Sequence, residues 1–582
     1  MTSSVVNLSG VSFVVGNAKG KILACQTELS FWGGVEPATG EVIDRHHPLS
    51  GQLLQDKILI LPGGRGSCSG SGVLLEMMVN GKGPAAIVIS RPDDIITLGV
   101  WIAKEMFDIS IPLLMLEEDD FITLSQQKNA NIAGGHIQCS AEVLTTELAI
   151  AIEDEQLQDE QQIVLNDYDR SLLNGEKSLA AQVAMKIILH MARLSGATTL
   201  TNVSQVHIDG CIYTGEASLS FAQKLLQMGG EFIVPTTLNA ISVDYRRWQS
   251  QGVDSTFGEP ASALADAYVN MGAKPTYTCA PYLLDSAPQQ GEQIAWAESN
   301  AVVFANSVLG AKTMKYPDFL DACIALTGRA PLAGAHLNEH RRATLHINIR
   351  QVQEVDDLFY PLLGYHVGKI AGNHIPVLTG IVQLNPDMDN LRAFGAAFAT
   401  VSSAPMFHIV GVTPDADTLN QAINSPQSIE KIELACADLY PSWAELNKDY
   451  GSKSDLISLG NPHFSLSEFE KLSMLCEGSH ISSNMHMYIT AGRSVLAEAK
   501  AAGYLSIIEH FGAKIITDTC WCMISEPVIP VSTQIICTNS AKYAHYGPGM
   551  TGRKFKLLSL EECVKEAKTG LPSTTLPRWL SY

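Results

Sequence analysis

A glycine-rich loop between two apolar segments constrains the fold of this chain more than any other feature. Residues 58–61 predict a buried strand, and residues 73–78 predict the start of a helix. Residues 62–72 lie between them and include five glycines, which allow tight turns and close approach of another group. Arg65 and three serines lie just before the predicted helix, whose N-terminal N–H groups attract anions. The order strand, loop and helix predicts a β/α unit whose loop can hold an anion or present one hydroxyl or thiol for chemistry.

The loop nearly fits three known motifs. It lacks the Gly-Lys-Ser/Thr ending of a phosphate-binding loop, and Ser69 replaces the third glycine of the dinucleotide fingerprint. Gly66-Ser67-Cys68-Ser69-Gly70 has the spacing of a nucleophile elbow, with cysteine in the place of serine. A connector capped by serine is the remaining interpretation. The pattern alone leaves open an anion site, a reactive thiol and a plain connector.

Composition narrows the class of protein. With 582 residues, 46% apolar and 17% charged, the chain can form several large cores, at about 100–200 residues per domain. The net charge of -21 disfavours a nucleic-acid partner. The first residues lack a signal-peptide pattern, and no apolar run reaches the roughly 18 residues of a membrane span. Twelve scattered cysteines then predict a reduced, cytoplasmic protein with thiols available for metal.

Strand and helix patterns alternate along the chain and predict an α/β fold. An acidic, glutamine-rich stretch at residues 152–162 predicts a domain junction between residues 140 and 165. We therefore expect a small β/α domain over residues 1–150 and a large multi-lobed α/β domain over residues 165–582. Residues 178–194 predict an amphipathic helix, and the mainly apolar segments 231–234 and 301–308 are interpreted as strands.

Three further groups of residues could carry chemistry. His336-Leu337-Asn338-Glu339-His340 has a zinc-peptidase spacing, but Gly334 and nearby extended segments leave little helix to support it. Cys520 and Cys522 follow a predicted strand, where they could ligate an iron–sulfur cluster or be structural. Glu298, Ser299 and Asn300 begin a polar–apolar junction that suits either a small polar substrate or a helix cap.

Several long motifs occur in a fixed order, and together they resemble the aconitase X family over essentially the whole chain. The motifs are Gly63-Gly64-Arg65-Gly66-Ser67, Ser69-Gly70-Ser71, His207-Ile208-Asp209-Gly210, Cys279-Ala280-Pro281-Tyr282, the segment 298–307, Asp518-Thr519-Cys520 and Thr538-Asn539-Ser540-Ala541-Lys542. The resemblance implies an aconitase-like fold in which a small swivelling domain, here fused at the N-terminus, closes over a three-lobed domain.

The resemblance also implies a hydro-lyase. Single-chain members of the family are associated with dehydration of cis-3-hydroxy-L-proline to 1-pyrroline-2-carboxylate, and two-chain members with dehydration of mevalonate 5-phosphate. We expect the first reaction, because no basic cluster suits a phosphate; a cysteine hydrolase using Cys68 is a further alternative. The expected partner is a small hydroxy amino acid, without nucleic acid or membrane, and the expected state is a monomer or small homo-oligomer.

Residue roles follow from the same resemblance. By analogy with the serine on the aconitase swivel domain, Ser71 is the expected base, with its pKa lowered by a cation or by helix N–H groups. The expected cofactor is an iron–sulfur cluster, preferably 2Fe-2S, with Cys211, Asn461 and Cys520 as ligands, since Asn461 replaces a cysteine of the two-chain members. The residues expected to bind substrate are Arg65, Ser67, His207, Asp209, Thr236, Glu298, Ser299 and Lys542.

Overall fold

The computed structural model describes residues 5–144, 163–350, 352, 354–423 and 429–581. The strands are β1 (Val6–Ser9), β2 (Val11–Val14), β3 (Asn17–Ala24), β4 (Val35–Glu36), β5 (Glu41–Val42), β6 (Lys57–Ile60), β7 (Ala86–Ile89), β8 (Leu113–Met115), β9 (Asn129–Ala133), β10 (His136–Ser140), β11 (Leu200–Asn202), β12 (Val206–Ile208), β13 (Thr236–Leu238), β14 (Ala295–Trp296), β15 (Arg329–Pro331), β16 (Leu345–Ile349), β17 (Pro376–Thr379), β18 (His408–Ile409), β19 (Glu430–Leu434), β20 (Leu456–Leu459), β21 (His486–Ala491), β22 (Lys514–Thr517), β23 (Ile535–Thr538) and β24 (Lys554–Leu557).

The helices follow the strands in the alternating order that the sequence predicts. They are α1 (Gly70–Val79), α2 (Asp94–Phe107), α3 (Glu118–Ser125), α4 (Asp167–Leu173), α5 (Leu179–Leu194), α6 (Glu216–Gln227), α7 (Ser255–Asn270), α8 (Ser299–Phe304), α9 (Leu320–Thr327), α10 (Phe359–Ala371), α11 (Met388–Val401), α12 (Leu419–Ala422), α13 (Tyr440–Leu446), α14 (Leu466–Cys476), α15 (Arg493–Ala501), α16 (Tyr504–Phe511), α17 (Ala541–Thr551) and α18 (Leu560–Thr569). The α/β fold class is therefore confirmed.

The chain folds into two compact units, the first of which comprises residues 1–202, 214–233 and 316–333. The second unit comprises residues 203–213, 234–315 and 334–582. The domain junction predicted between residues 140 and 165 falls mostly on residues 145–162, which lie outside the described residues. The predicted boundaries at residues 150 and 165 therefore stay predictions.

The first unit is built around an eight-stranded sheet with the order β1-β10-β9-β3-β6-β7-β8-β2. Its centre, β3-β6-β7-β8, is parallel, and its other pairings are antiparallel. Parallel neighbours need helical crossovers, which α1 and α2 supply after β6 and β7. Ile58 and Ile60 of β6 and Val88 of β7 are fully buried in the core of this sheet. The predicted strand–loop–helix unit is thus confirmed.

The second unit contains three parallel sheets. Their orders are β13-β12-β14, β18-β17-β16-β19 and β22-β21-β20-β23-β24. Loops that leave the carboxyl ends of parallel strands meet at one edge of a sheet, where α/β proteins bind ligands. A ligand-binding site is therefore expected among the residues that follow β12, β13, β20, β22 and β23.

Two local predictions are wrong. Residues 231–234 precede the strand, which is β13 (Thr236–Leu238), because strand pairing with β12 fixes the register beyond Pro235. Residues 301–308 are helical: α8 (Ser299–Phe304) continues as a π-helical turn over Ala305–Leu309. A short continuous apolar run does not distinguish a buried helix from a buried strand.

Two other predictions concern helices. The helix predicted at residues 178–194 is confirmed as α5, and the Ser178 side chain caps it by accepting a hydrogen bond from Ala181 N. The segment that resembles a zinc-peptidase motif forms two separate 3-10 turns, Gly334–His336 and Asn338–Arg341. His336 and His340 therefore lack the common helical face that zinc binding by this motif requires.

Candidate active site

Three buried cysteines adjoin one another in the second unit. Cys520 follows β22, Cys279 precedes a short 3-10 turn at Pro281–Leu283, and Cys522 lies within the 3-10 turn Trp521–Met523. The Cys520 thiol is hydrogen-bonded to both Cys279 and Cys522. We call Cys279, Cys520 and Cys522 the thiol cluster; the sequence separates its first two members by more than two hundred residues.

The three thiols do not ionise alike. Hydrogen bonds from Cys279 and Cys522 lower the pKa of Cys520 well below its usual value, and the charge of Lys542 acts in the same direction, against the effect of burial. Burial, together with the hydrogen bond to Cys520, raises the pKa of Cys279. The bond to Cys520 and burial raise the pKa of Cys522 in the same way. Cys520 is thus the member of the thiol cluster whose ionisation the surroundings favour.

Two residues of the loop after β20 contact the thiol cluster. Asn461 donates from Nδ2 to the Cys522 sulfur at 3.4 Å, while its buried Oδ1 has no hydrogen-bond partner. The backbone N–H of His463 donates to the Cys279 sulfur at 3.4 Å. The amide of Asn461 thus contacts the Cys522 sulfur and has an oxygen with an unused lone pair, which is a further donor atom for a metal centre.

His463 is held as a neutral ring. Its Nε2 is 2.8 Å from the carbonyl oxygen of Thr519, which can only accept, so Nε2 carries the proton. Its Nδ1 then accepts from the Thr278 hydroxyl at 3.1 Å. Burial lowers the pKa of His463, in agreement with this assignment. His463 therefore orients the two loops that carry Cys279 and Cys520.

A buried charge network lies beside the thiol cluster. Lys542 donates from Nζ to Glu298 Oε1 at 2.9 Å, and Asn300 donates to the same oxygen at 2.6 Å. Asn239 Nδ2 donates to Glu298 Oε2 at 3.1 Å and also to Asp209 Oδ1. Asn239 follows β13, Asp209 follows β12, and Glu298 caps α8, so strand ends and a helix start supply the whole network.

The lysine decides the charge state of this network. Burial opposes ionisation of Glu298, but Lys542 outweighs it and the pKa of Glu298 is lowered. Burial likewise opposes the charge on Lys542, but Glu298 and the cysteines raise the pKa of the lysine well above its usual value. The site thus presents a buried carboxylate and a buried ammonium side by side, which suits a small zwitterion.

The remaining residues that the sequence predicted for this unit are buried and have contacts of their own. His207 in β12 bonds through Nδ1 to the Thr237 hydroxyl at 2.8 Å, and burial lowers its pKa to about 3. The Thr236 hydroxyl donates to the Val234 carbonyl oxygen, and Ser299 is the buried first residue of α8. Cys211 donates to the carbonyl oxygens of Ile208 and Asn239, both at 3.5 Å.

The glycine-rich loop belongs to the first unit. Arg65 pairs with Asp44 at 3.0 Å, and the Ser67 and Ser69 hydroxyls are 3.1 Å apart. Ser71 lies in the first turn of α1, fully buried, and donates to the carbonyl oxygens of Cys68 at 3.2 Å and Asp318 at 3.3 Å. The Cys68 thiol is fully buried.

The sequence predicts Asp209, Glu298 and Lys542 as site residues and singles out Asn300 beside Glu298, but it does not predict Asn239. Asn239 directly follows a strand, which is the only signal that the sequence gives for it. The sequence offers Cys279 only as part of a longer motif. In the described ranges, no three His, Cys, Asp or Glu side chains are arranged so that they could hold one metal ion. The same ranges contain no helix that is both long and apolar enough to cross a membrane.

Family models match nearly the whole chain. The model for the aconitase X swivel domain matches residues 7–139, and those for the first, second and third domains match residues 162–339, 343–444 and 454–569. The crystal structure of Thermococcus kodakaraensis aconitase X in its holo-form is similar, with a TM-score of 0.62 and 32% identity, covering 70% of this chain and 100% of that one.

Two named dehydratases are similar to nearly the whole chain, and a third is similar to about two thirds of it. A cis-3-hydroxy-L-proline dehydratase of Hypocrea jecorina is 53% identical over 98% of this chain and 97% of its own. One of Pseudomonas aeruginosa is 49% identical over 98% of both chains. The phosphomevalonate dehydratase large subunit of Methanothermobacter thermautotrophicus is 31% identical over 67% of this chain and 95% of its own. The chain belongs to the aconitase X family, with the aconitase-like α/β fold predicted from its motifs, and it is a hydro-lyase.

Proposed function

We propose that this enzyme removes water from cis-3-hydroxy-L-proline and releases 1-pyrroline-2-carboxylate. The observation that carries the proposal is the similarity, at 53% and 49% identity over 98% of the chain, to two dehydratases of that substrate. The chain length supports it too, since the phosphomevalonate dehydratase large subunit matches only 67% of this chain. A single chain with both parts is the form that the hydroxyproline dehydratases share.

The charge network is suited to bind this substrate. The ammonium of Lys542 can attract the substrate carboxylate, and the carboxylates of Glu298 and Asp209 can attract its ring nitrogen. Asn239 and Asn300 hold Glu298 in place, so substrate binding requires little rearrangement of the side chains. The reaction then takes the proton from the α-carbon and expels the hydroxyl from C3. The resulting enamine becomes the cyclic imine when C3 takes up a proton and the ring nitrogen loses one.

Ser71 stays the proposed base. Its support is its place in the first turn of α1, because the N–H groups and dipole of a helix N-terminus stabilise an alkoxide. Its hydroxyl already donates a hydrogen bond to two carbonyl oxygens, so it is oriented before substrate arrives. Proton transfer by a positioned base contributes about 10²–10⁴-fold to the rate.

The donor atoms of the second unit fit an iron–sulfur cluster. Each iron of a cluster takes its own thiolate, so the ligands need not converge on one ion as in a mononuclear site. Cys520, whose pKa is lowered, would hold the group together with Cys279, Cys522 and the unpartnered Asn461 Oδ1. When bound, it would supply a Lewis acid for the departing hydroxyl. Cys520 and Asn461 belong to the set predicted from the sequence; Cys211 and the 2Fe-2S type stay predictions.

The proposal is tested by comparing which of three candidate substrates the enzyme dehydrates. Purified chain is incubated with cis-3-hydroxy-L-proline, trans-3-hydroxy-L-proline or mevalonate 5-phosphate, and products are followed by proton NMR. We expect imine from the cis isomer alone. Turnover of mevalonate 5-phosphate with none of either hydroxyproline would reject the proposal in favour of the two-chain activity.

A further inference from the structure

A cavity of about 220 Å³ in the second unit shares no residue with the candidate active site. Its lining residues are Asn338, Arg341, Arg342, His408, Asp415, Gln421 and Ala422. We call it the Arg342 cavity. It lies below the roughly 300–1,000 Å³ of pockets for drug-sized ligands, so any occupant is small. Nearly every lining side chain is polar, which excludes an apolar ligand.

Arg341 forms the structural floor of the cavity. Its Nε and Nη2 donate to Asp415 Oδ2 at 2.9 and 2.6 Å, and its Nη1 donates to the Ala311 carbonyl oxygen at 3.0 Å. Nη2 also donates to the Asn306 carbonyl oxygen at 2.8 Å. These donors are used inside the protein, and the side chain is almost completely buried. Arg341 therefore holds Asp415 in place and does not itself offer a binding group.

Arg342 is different. Its Nη1 donates to the Gln421 carbonyl oxygen, and the side chain is partly exposed. In the part of the chain that the structure describes, no carboxylate is paired with this guanidinium. A guanidinium with free donors at the wall of a cavity favours a carboxylate ligand, which it can bind through two parallel hydrogen bonds.

Two acceptors lie in the same cavity. His408 Nε2 is 2.7 Å from the Arg341 carbonyl oxygen, so Nε2 carries the proton and Nδ1 presents a lone pair. That Nδ1 is buried and has no hydrogen-bond partner, which is unfavourable unless a ligand supplies a donor. Asp415 binds Arg341 only through Oδ2, which leaves Oδ1 as a second acceptor.

We infer that the Arg342 cavity binds a small free amino acid, through its carboxylate at Arg342 and its ammonium at Asp415 Oδ1 and His408 Nδ1. Charge favours the same ligand. The two arginines and Asp415 leave one net positive charge, and burial lowers the pKa of His408 so that the ring adds none. A zwitterion supplies both a carboxylate for the unpaired cation and N–H donors for the two acceptors. Acetate supplies only the first, and methylammonium only the second.

The test is calorimetric titration of the full chain with L-alanine, acetate and methylammonium as separate probes. We expect L-alanine to bind at least about tenfold more tightly than either single-charge probe, a difference of about 1.4 kcal/mol. Arg342→Gln should weaken alanine binding by at least about tenfold, while Arg350→Gln should not, since Arg350 is an exposed arginine of the same unit paired with Glu433.

One further variant separates this cavity from the active site. Glu298→Gln alters the proposed substrate site and should leave alanine binding at the Arg342 cavity unchanged. Alanine binding that is equal in wild type and Arg342→Gln would overturn the inference, as would binding lost only in Glu298→Gln. Acetate bound as tightly as L-alanine would also overturn it, because the site would then be one for simple anions.

Discussion

Lys542 Nζ lies 2.9 Å from Glu298 Oε1, with about one-twentieth of each side chain exposed to solvent. A buried ion pair of this kind is costly to break from one side, because the remaining charge has no partner, and the loss is about 3–5 kcal/mol. Removing both charges together often costs much less. Single and double substitutions of this pair should therefore differ in their effect on stability but not in their effect on activity.

We predict that Glu298→Gln and Lys542→Met each lower the free energy of unfolding by about 3–5 kcal/mol. The double variant should be more stable than either single one, yet all three should lose dehydratase activity. Urea unfolding and the kcat/KM for cis-3-hydroxy-L-proline measure the two effects. Additive losses of stability would show that the two charges do not depend on each other.

Iron binding is predicted to follow the thiol cluster. Cys520→Ala, Cys279→Ala and Cys522→Ala should lose iron and acid-labile sulfide, whereas Cys323→Ala should keep both, since Cys323 is an equally buried cysteine of the first unit. Metal analysis of anaerobically purified protein and electron paramagnetic resonance give the result without an activity assay. Iron lost in Cys211→Ala but kept in Cys279→Ala would favour the ligand set predicted from the sequence.

Part of this site could be predicted from the sequence, because the patterns that indicate it lie within short stretches of the chain. The strand, glycine loop and helix around Ser71 are adjacent in the chain, and Cys520 directly follows a strand. The bond between Cys279 and Cys520 and the bridge of Asn239 to Glu298 form only when distant segments pack. No periodicity records such contacts, so they could not be predicted from one sequence.

The errors in secondary structure have the same origin. Residues 231–234 are rich in strand-forming side chains, yet the strand begins at Thr236, where β12 supplies hydrogen-bond partners. The apolar run at residues 301–308 is helical because Glu298 caps its start and accepts from Asn300 N. Pairing with a neighbouring strand decided the first case and a helix N-cap the second, and each outweighed the strand propensity of the segment.

Substitution of Ser71 and substitution of Cys68 are expected to have opposite effects on dehydratase activity. We predict that Ser71→Ala lowers kcat by at least about 100-fold while iron content stays unchanged, because the base is lost and the thiol cluster is intact. Cys68→Ala should retain activity, since the hydrogen bond that Ser71 makes to Cys68 uses the backbone carbonyl oxygen, which alanine also has. Steady-state kinetics and iron analysis on both variants check this. An active Ser71→Ala, or an inactive but folded Cys68→Ala, would contradict the assignment of the base.

Asp518, which lies two residues before Cys520, has a left-handed backbone conformation. Its φ is 70°, and its carboxylate binds Arg493 in a bidentate pair at 2.6 and 2.8 Å. Asp518→Ala and Asp518→Gly both lose this pair, but only glycine tolerates the positive φ without steric cost. We therefore predict that the glycine variant is more stable by about 1 kcal/mol in urea unfolding. Equal stability of the two would show that the backbone relaxes once Arg493 is released.

His190 in the first unit makes stability depend on pH. It stacks on Trp101 with ring centroids 4.2 Å apart, and burial, followed by Arg193 and Lys104, lowers its pKa from 6.5 to about 4. Between these two values the unfolded chain binds a proton that the native ring does not. The contribution of this ring to stability is therefore complete above pH about 6.5 and is lost as the pH falls towards about 4.

We predict that this histidine contributes a fall of about 1.4 kcal/mol in unfolding free energy for each pH unit over that range. His190→Gln cannot take up the proton, so its stability should decline less steeply, by about that amount per unit. His340→Gln is the matched control, because His340 is exposed, and it should keep the slope of the wild type. Urea unfolding followed by circular dichroism at several pH values measures the slopes. The same slope for His190→Gln as for wild type would mean that the ring becomes protonated in the native state without penalty, against the burial that Trp101 provides.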